Sequence, residues 1–208
     1  MVHKDARYLA AAVQGLIGWE WVVSGANKVL AGDFPDGLAS TLNDGIKGNP
    51  NGWYVGFLKS FVLPHSVLFG YAIEISETLA GLALLAGALL FITGVRRRGE
   101  PQYRLALTQV IAATLAAFAC AVLCVNFHFF MGDGLFPGLS PAHPFDEGVK
   151  LDTLMPPLSF VLLFFNLRVL SEMTGVPLTQ FPHRARMWLS APFAHSRHSL
   201  PATADGAL

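Results

Sequence analysis

The stretch SVLFGYAIEISETLAGLALLAGALLFITGV, Ser66–Val95, decides how the rest of the chain is read. It is thirty residues long and almost wholly apolar, yet it carries Glu74 and Glu77. A helix rises about 1.5 Å per residue, so roughly twenty residues cross a hydrocarbon core about 30 Å thick, and this run suffices with some to spare. A carboxylate at that depth costs roughly 2.5–3.5 kcal/mol on insertion scales. Residues three apart share a helical face, so Glu74 and Glu77 are expected to look together into protein or water, away from lipid. Such a face either lines a site or packs as hydrogen-bonded acids inside a bundle. Intramembrane acids favour the first reading.

The composition agrees with a bilayer setting. The chain has 208 residues, 53% of them hydrophobic and 13% charged, with a mean hydropathy of +0.48. Soluble domains carry about 25% charged residues. A formal net charge of zero gives no basis for a nucleic-acid partner. Two cysteines, Cys120 and Cys124, rule out a disulfide framework. The opening MVHKDARYLAAAVQGLIG places positive charge before an apolar run, as a signal peptide does. That run continues well beyond a signal peptide's length without a clear A-x-A site, so it reads as a retained first helix.

Working outward, hydropathy and punctuation predict an all-α fold, a four-helix transmembrane bundle with short helices in a long outer loop. The expected spans are about 8–31, 66–95, 105–131 and 153–173, within a membrane domain of residues 1–174. A cytoplasmic tail, 175–208, is expected to be partly disordered. Between the first two spans, Gly32–His65 is rich in Gly and Pro. Phe34–Asn43 fits one short helix. Trp53–Leu63, with its aromatic face and Lys59, fits a helix lying at the outer interface. A second Gly/Pro-rich loop, Gly132–Asp152, holds His143, Asp146 and Glu147. Ten Lys and Arg residues, including Arg96–Arg98, fall on the side of the termini, and four (Lys28, Lys47, Lys59, Lys150) on the other. The positive-inside rule then puts both termini in the cytoplasm and both long loops outside.

This topology groups the polar residues by depth. Glu20 lies about 16 Å below the outer end of its helix, Glu74 about 12 Å and Glu77 about 16 Å below theirs. Asn126 and His128 lie nearer the outer surface. Glu20, Ser24 and Lys28 step by four and are expected to share a face. Lys28 sits near the helix end, where a lysine commonly snorkels to the interface. Glu20, Glu74 and Glu77 are expected to meet in one buried site with Lys28 or His128 close by, because grouped acids share protons, hydrogen bonds and a cation.

One chemistry such a cluster suits is a quinone site. His128 is the proton acceptor there, Glu74 or Glu77 the relay, and Phe127, Phe129 and Phe130 the walls of an apolar slot. The alternatives are a hydrogen-bonded helix-end histidine and packing phenylalanines. Cys120, Cys124 and His128 also step by four, but cysteines four apart on a helix do not form a relaxed disulfide, and a metal would need a ligand from another helix. No metal site is expected, and two membrane cysteines are ordinarily small packing residues.

Four spans, a first helix ending WVVSGANKVL, a second carrying EISETLAGLALLAG and a third ending NFHFFMG resemble the DoxX superfamily. Within it, the long first loop and the third-helix ending are similar to the DoxD group, membrane subunits of thiosulfate:quinone oxidoreductases. The likeness covers roughly residues 7–173. It implies oxidation of thiosulfate to tetrathionate at the outer face, with quinone as electron acceptor and no tightly bound cofactor. It also implies a DoxA-like or other membrane subunit as partner, with self-association a further expectation. By position, Lys28 matches the basic end of the first helix, Glu77 the acid before the small-residue run, and Asn126 the Asn of the third-helix ending. The chain departs from that pattern at His128, where Asn is usual, and at Gly132–Gly134. The expected catalytic residues are therefore Glu20, Glu74, Glu77 and His128, and the expected substrate-binding residues are Lys28, Asn126 and Lys59. The rival reading is a non-catalytic anchor or accessory subunit of a larger redox complex. The expected location is a bacterial or archaeal inner membrane.

Overall fold

A computed structural model describes residues 4–93, 99–132 and 151–177. The Arg96–Arg98 loop, the segment with His143, Asp146 and Glu147, and the tail beyond 177 lie outside the described residues. The order is α1 (Lys4–Ala31), α2 (Phe34–Ile46), α3 (Gly52–Phe57), α4 (Ser66–Thr93), α5 (Gly99–Phe130) and α6 (Leu151–Thr174). Among the described residues there is no strand.

Three helices are long and apolar enough to cross a membrane: the run 52–93, Pro101–Phe130 and Leu154–Thr174. Between 28% and 44% of their most apolar windows is buried inside the protein, so the remainder is left for lipid. The helix α1 has the length, 28 residues, but is not among the three. Gln14, Glu20, Ser24, Asn27 and Lys28 dilute its hydropathy. It is nevertheless the closest partner of α4, and α5 packs on both α4 and α6.

Glycine sets the α1–α4 contact. A Cβ on Gly25 would run into Thr78, one on Gly81 would lie 2.5 Å from the Val22 nitrogen, and one on Gly18 would lie 3.0 Å from the Gly81 carbonyl. Position 25 thus faces 78, 22 faces 81 and 15 faces 88, a falling register that makes the two helices antiparallel. Small residues bring membrane helices to backbone contact, where dispersion and hydrogen bonds replace the missing hydrophobic drive. On α5 the same role falls to Ala106, Ala113, Ala117, Cys120, Ala121 and Cys124, all buried.

The expected interfacial helix Trp53–Leu63 is helical but does not break from the span below it. After α3 the backbone takes one π turn, Leu58–Val62, and one 3-10 turn, Leu63–His65, before α4 begins. Pro64 explains the change of winding, since its ring offers no N–H and crowds the carbonyl four residues earlier. The result is one helical run of 42 residues, about 63 Å long. That is roughly twice a hydrocarbon core. The excess forms a cap with α2. Leu38, Leu42, Tyr54, Leu58 and Val62 are its buried core, packed against Phe129 and Phe130 at the end of α5. The Tyr54 hydroxyl donates to the Asn126 carbonyl at 3.0 Å, and Asn49 Nδ2 donates to the carbonyls of Phe129 and Phe130, both at 3.0 Å.

The glycine contact yields the first prediction. Gly25→Leu or Gly81→Leu should lower stability by about 1–3 kcal/mol, the usual penalty of overpacking. Gly37→Leu, where a Cβ meets nothing within 4 Å, should not. Thermal unfolding of the detergent-solubilised protein compares the three.

Candidate functional site

One of the deep acids, Glu77, meets Lys28 on the glycine contact. Glu77 of α4 is fully buried. Lys28 Nζ lies 2.5 Å from Glu77 Oε2 and 2.8 Å from Ser24 Oγ, and Ser24 Oγ donates to Glu77 Oε2 at 3.0 Å. The three polar groups close a triangle between α1 and α4. Lys28 also lies 5.3 Å from the centre of the Phe34 ring. The second oxygen, Glu77 Oε1, is buried with no hydrogen-bond partner among the described residues, as is Trp21 Nε1 one turn further in.

Lys28 therefore does not snorkel outward. Side chains on a helix lean toward its N-terminus, which on α1 is the direction of Ser24 and Glu77. The register places Glu77 beside position 26, within reach of a lysine leaning back from 28. Charge then decides the outcome. A buried carboxylate left alone costs several kcal/mol, and the nearest cation stays with it.

Above this triangle lies a cavity of about 500 Å³ lined by Ser24, Asn27, Lys28, Asp33, Phe34 and Thr41, with Ala31 and Gly37. It sits where α1 ends and α2 begins. Lys28 and Ser24 reach its floor with Glu77 behind them. Asn27, Thr41 and the third N–H of the ammonium give it donors, Asp33 gives it a rim carboxylate, and Phe34 gives it an apolar wall.

The other expected site residues separate from this group. Glu20 is exposed on α1, and Glu74 is half-buried. Neither carboxylate makes a hydrogen bond or ion pair among the described residues. Of the three acids, Glu77 is the one held by hydrogen bonds and an ion pair among the described residues. The reason is helical drift. Each step of four overshoots a full turn by about 40°, so Glu20 stands about 80° round the helix from Lys28. Lys59 is exposed on the π turn and does not line the cavity. Asn126 belongs to the cap hinge, where its Nδ2 donates to the Val122 carbonyl at 2.8 Å.

The residues expected to form a slot at His128 lie at the end of α5. His128 is buried at the end of α5 and packs edge-on against Phe129. Phe127 packs on the bundle core, and Phe129 and Phe130 pack on the cap core. All three rings are half-buried. Cys120 and Cys124 are free thiols buried in the core, the latter 3.9 Å from Ser159 Oγ. Among the described residues no group of three or more His, Cys, Asp and Glu side chains is placed to hold a metal ion.

Asn27, Asp33, Phe34 and Thr41 were not readable as site residues. Ser24 carried a usable signal, its four-residue spacing from Lys28. A second buried polar group, missed altogether, lies further in. Gln14 Nε2 donates to the Leu84 carbonyl at 3.1 Å, and Asn166 Nδ2 donates to Gln14 Oε1 at 2.8 Å.

The ion pair yields a stability prediction. Glu77→Ala strands a mostly buried ammonium and should cost about 3–5 kcal/mol, whereas Lys28→Met with Glu77→Leu should recover most of that loss. Equilibrium unfolding of the single and double variants measures it. Equal loss in both would show that the pair contributes only its shape. Set beside known proteins, the chain matches no family model, no curated protein and no solved structure.

Proposed function

We propose that this chain is an integral membrane subunit that holds a small anion in the Lys28 cavity for a quinone-linked oxidoreductase. The sequence resemblance to DoxD names a sulfur oxoanion of the thiosulfate class as the substrate. The observation that carries the reading is a lysine drawn into the floor of a cavity lined by Ser24, Asn27 and Thr41. Hydroxyl, amide and ammonium donors around a pocket of this size suit a compact oxoanion. In this reading α1 is the fourth span, with Gln14, Ser24 and Lys28 turned to α4, and both termini are cytoplasmic. The cavity then opens to the outer face of an inner membrane, under the cap. A DoxA-like subunit or further copies of the chain are the partners.

Quinone is the acceptor in this reading. The second reading is an accessory subunit that presents the anion or anchors a partner without itself meeting quinone.

Two measurements test the proposal. Membranes containing the protein should reduce a soluble quinone on addition of thiosulfate, and Lys28→Met should lower kcat/KM for thiosulfate at least about tenfold, or about 1.4 kcal/mol. Anion binding without quinone reduction leaves the accessory reading standing alone. A cysteine at Asn43, exposed on α2, should react with an impermeant thiol reagent only from outside, since Cys120 and Cys124 are buried. Labelling from the cytoplasmic side would overturn the orientation.

A further inference from the structure

The ion pair restricts what its own cavity can hold. The inference that follows rests on the anion-binding reading and concerns how the anion is admitted. Lys28 is 20% exposed and Glu77 not at all, so in the closed pair the ammonium is already neutralised. An ammonium has three N–H donors, and Ser24 and Glu77 occupy two. An anion on the third would sit beside the Glu77 carboxylate with one cation between two negative groups, in surroundings where charge is poorly screened.

Among the described residues the other elements line the cavity with no second cation. On α1 the charged neighbour is Glu20, and on α4 it is Glu74. From α5, Cys120 and Cys124 lie within electrostatic reach of Glu77. The start of α2 brings Asp33 to the cavity rim. From α6 the near group is Ser159, neutral and in contact with Cys124. Arg168 is paired with Glu172 at that helix's far end. Among these groups Lys28 is the one cation available to the cavity.

We infer that an anion enters the Lys28 cavity together with one proton, which Glu77 takes up. Written in full, the Lys28 ammonium paired with the Glu77 carboxylate, plus a monovalent anion and a proton, becomes the ammonium paired with the anion, plus a neutral Glu77 carboxylic acid. For a dianion the same proton leaves one negative charge on the complex. The proton goes to Oε1, the buried oxygen that has no hydrogen-bond partner. Oε2 keeps the hydrogen bond from Ser24. The released ammonium swings toward the cavity with Ser24 as its remaining protein acceptor. Anion affinity therefore rises as pH falls, because the bound state holds more protons than the free state.

The test is titration of thiosulfate into the protein in lipid nanodiscs. Calorimetry at one mildly acidic pH, in imidazole and in Bis-Tris, reads the protons taken up from the difference in heat between buffers. About one proton per anion is expected, with affinity falling about tenfold per pH unit where Glu77 is ionised in the free protein. Infrared difference spectra of the wild type should show carboxylate bands lost and a protonated-acid carbonyl band gained on thiosulfate addition. That reading needs no variant and stands even if Glu77→Gln fails to fold. In a folded Glu77→Gln protein, uptake and pH dependence should vanish while binding persists. Binding without proton uptake overturns this inference and leaves the anion-binding reading intact. Uptake that survives in Glu77→Gln assigns the proton to another group and overturns it as well. No binding at any pH overturns both.

Discussion

The Lys28–Glu77 ion pair is the constraint on which the cap end of the molecule depends. A carboxylate buried at this depth is not tolerated by itself, so a cation must be brought to it. Bringing it requires α1 and α4 to touch backbone to backbone, which Gly18, Gly25 and Gly81 permit. The contact fixes the register, and the register decides which side chains can meet Glu77. Ser24 follows from the same geometry, four residues before Lys28 and on the same side. The cavity is a further consequence. A lysine leaning inward from the end of α1 leaves the space above it to be bounded by Asp33, Phe34 and Thr41 at the start of α2.

The helices were legible because lipid imposes one rule on every residue of a span. The predicted bounds 66–95, 105–131 and 153–173 overlap α4, α5 and α6 closely. Hydropathy says less about α1, where Gln14, Ser24 and Lys28 bond to a neighbour that a one-dimensional reading does not see. The join between 52–65 and α4 was also hidden. Pro64 reads as a break, and a π turn absorbs it without one. Among site residues, the membership of Lys28 and Glu77 was readable, but the pairing was not, since it depends on an interhelical register. Glu20 misled because a spacing of four holds a face over one turn and loses it over two. Residues of the cavity wall beyond α1 carry no sequence signal of their own and become neighbours only when α2 folds back over the bundle.

The two halves of the α1–α4 interface answer the same problem differently. Further in, Gln14, Asn166 and the Leu84 carbonyl form a neutral chain of hydrogen bonds, joined on α5 by Gln109 Nε2 donating to the Ala83 carbonyl at 3.1 Å. Amides fasten helices at a modest gain, about 0.6 kcal/mol per contact on average, and carry little desolvation cost when paired. An ion pair fastens them no better once desolvation is counted, and replacing it with apolar residues is often neutral. If fastening were the only requirement, the outer half would do as well with another glutamine. What a carboxylate and an ammonium add is the capacity to exchange a proton and to change partners. That capacity sits where a cavity opens above it, and the neutral amides sit where the helices are closed.

The geometry also separates the Lys28 cavity from His128. The cavity is bounded by α1 and α2, whereas His128 and its phenylalanines cap the end of α5 beneath Tyr54 and Asn49. The cavity meets the cap through α2, and α2 touches the end of α5 at Gly45, where a Cβ would overlap the Phe130 ring. Displacement of α2 is therefore opposed from both ends, by Pro35 against Gly70 on α4 and by Gly45 against Phe130. A wall held this firmly favours a preformed cavity over one that closes on its ligand. In the proposed exchange the mobile part of the site is then the ammonium itself, moving between Glu77 and the cavity.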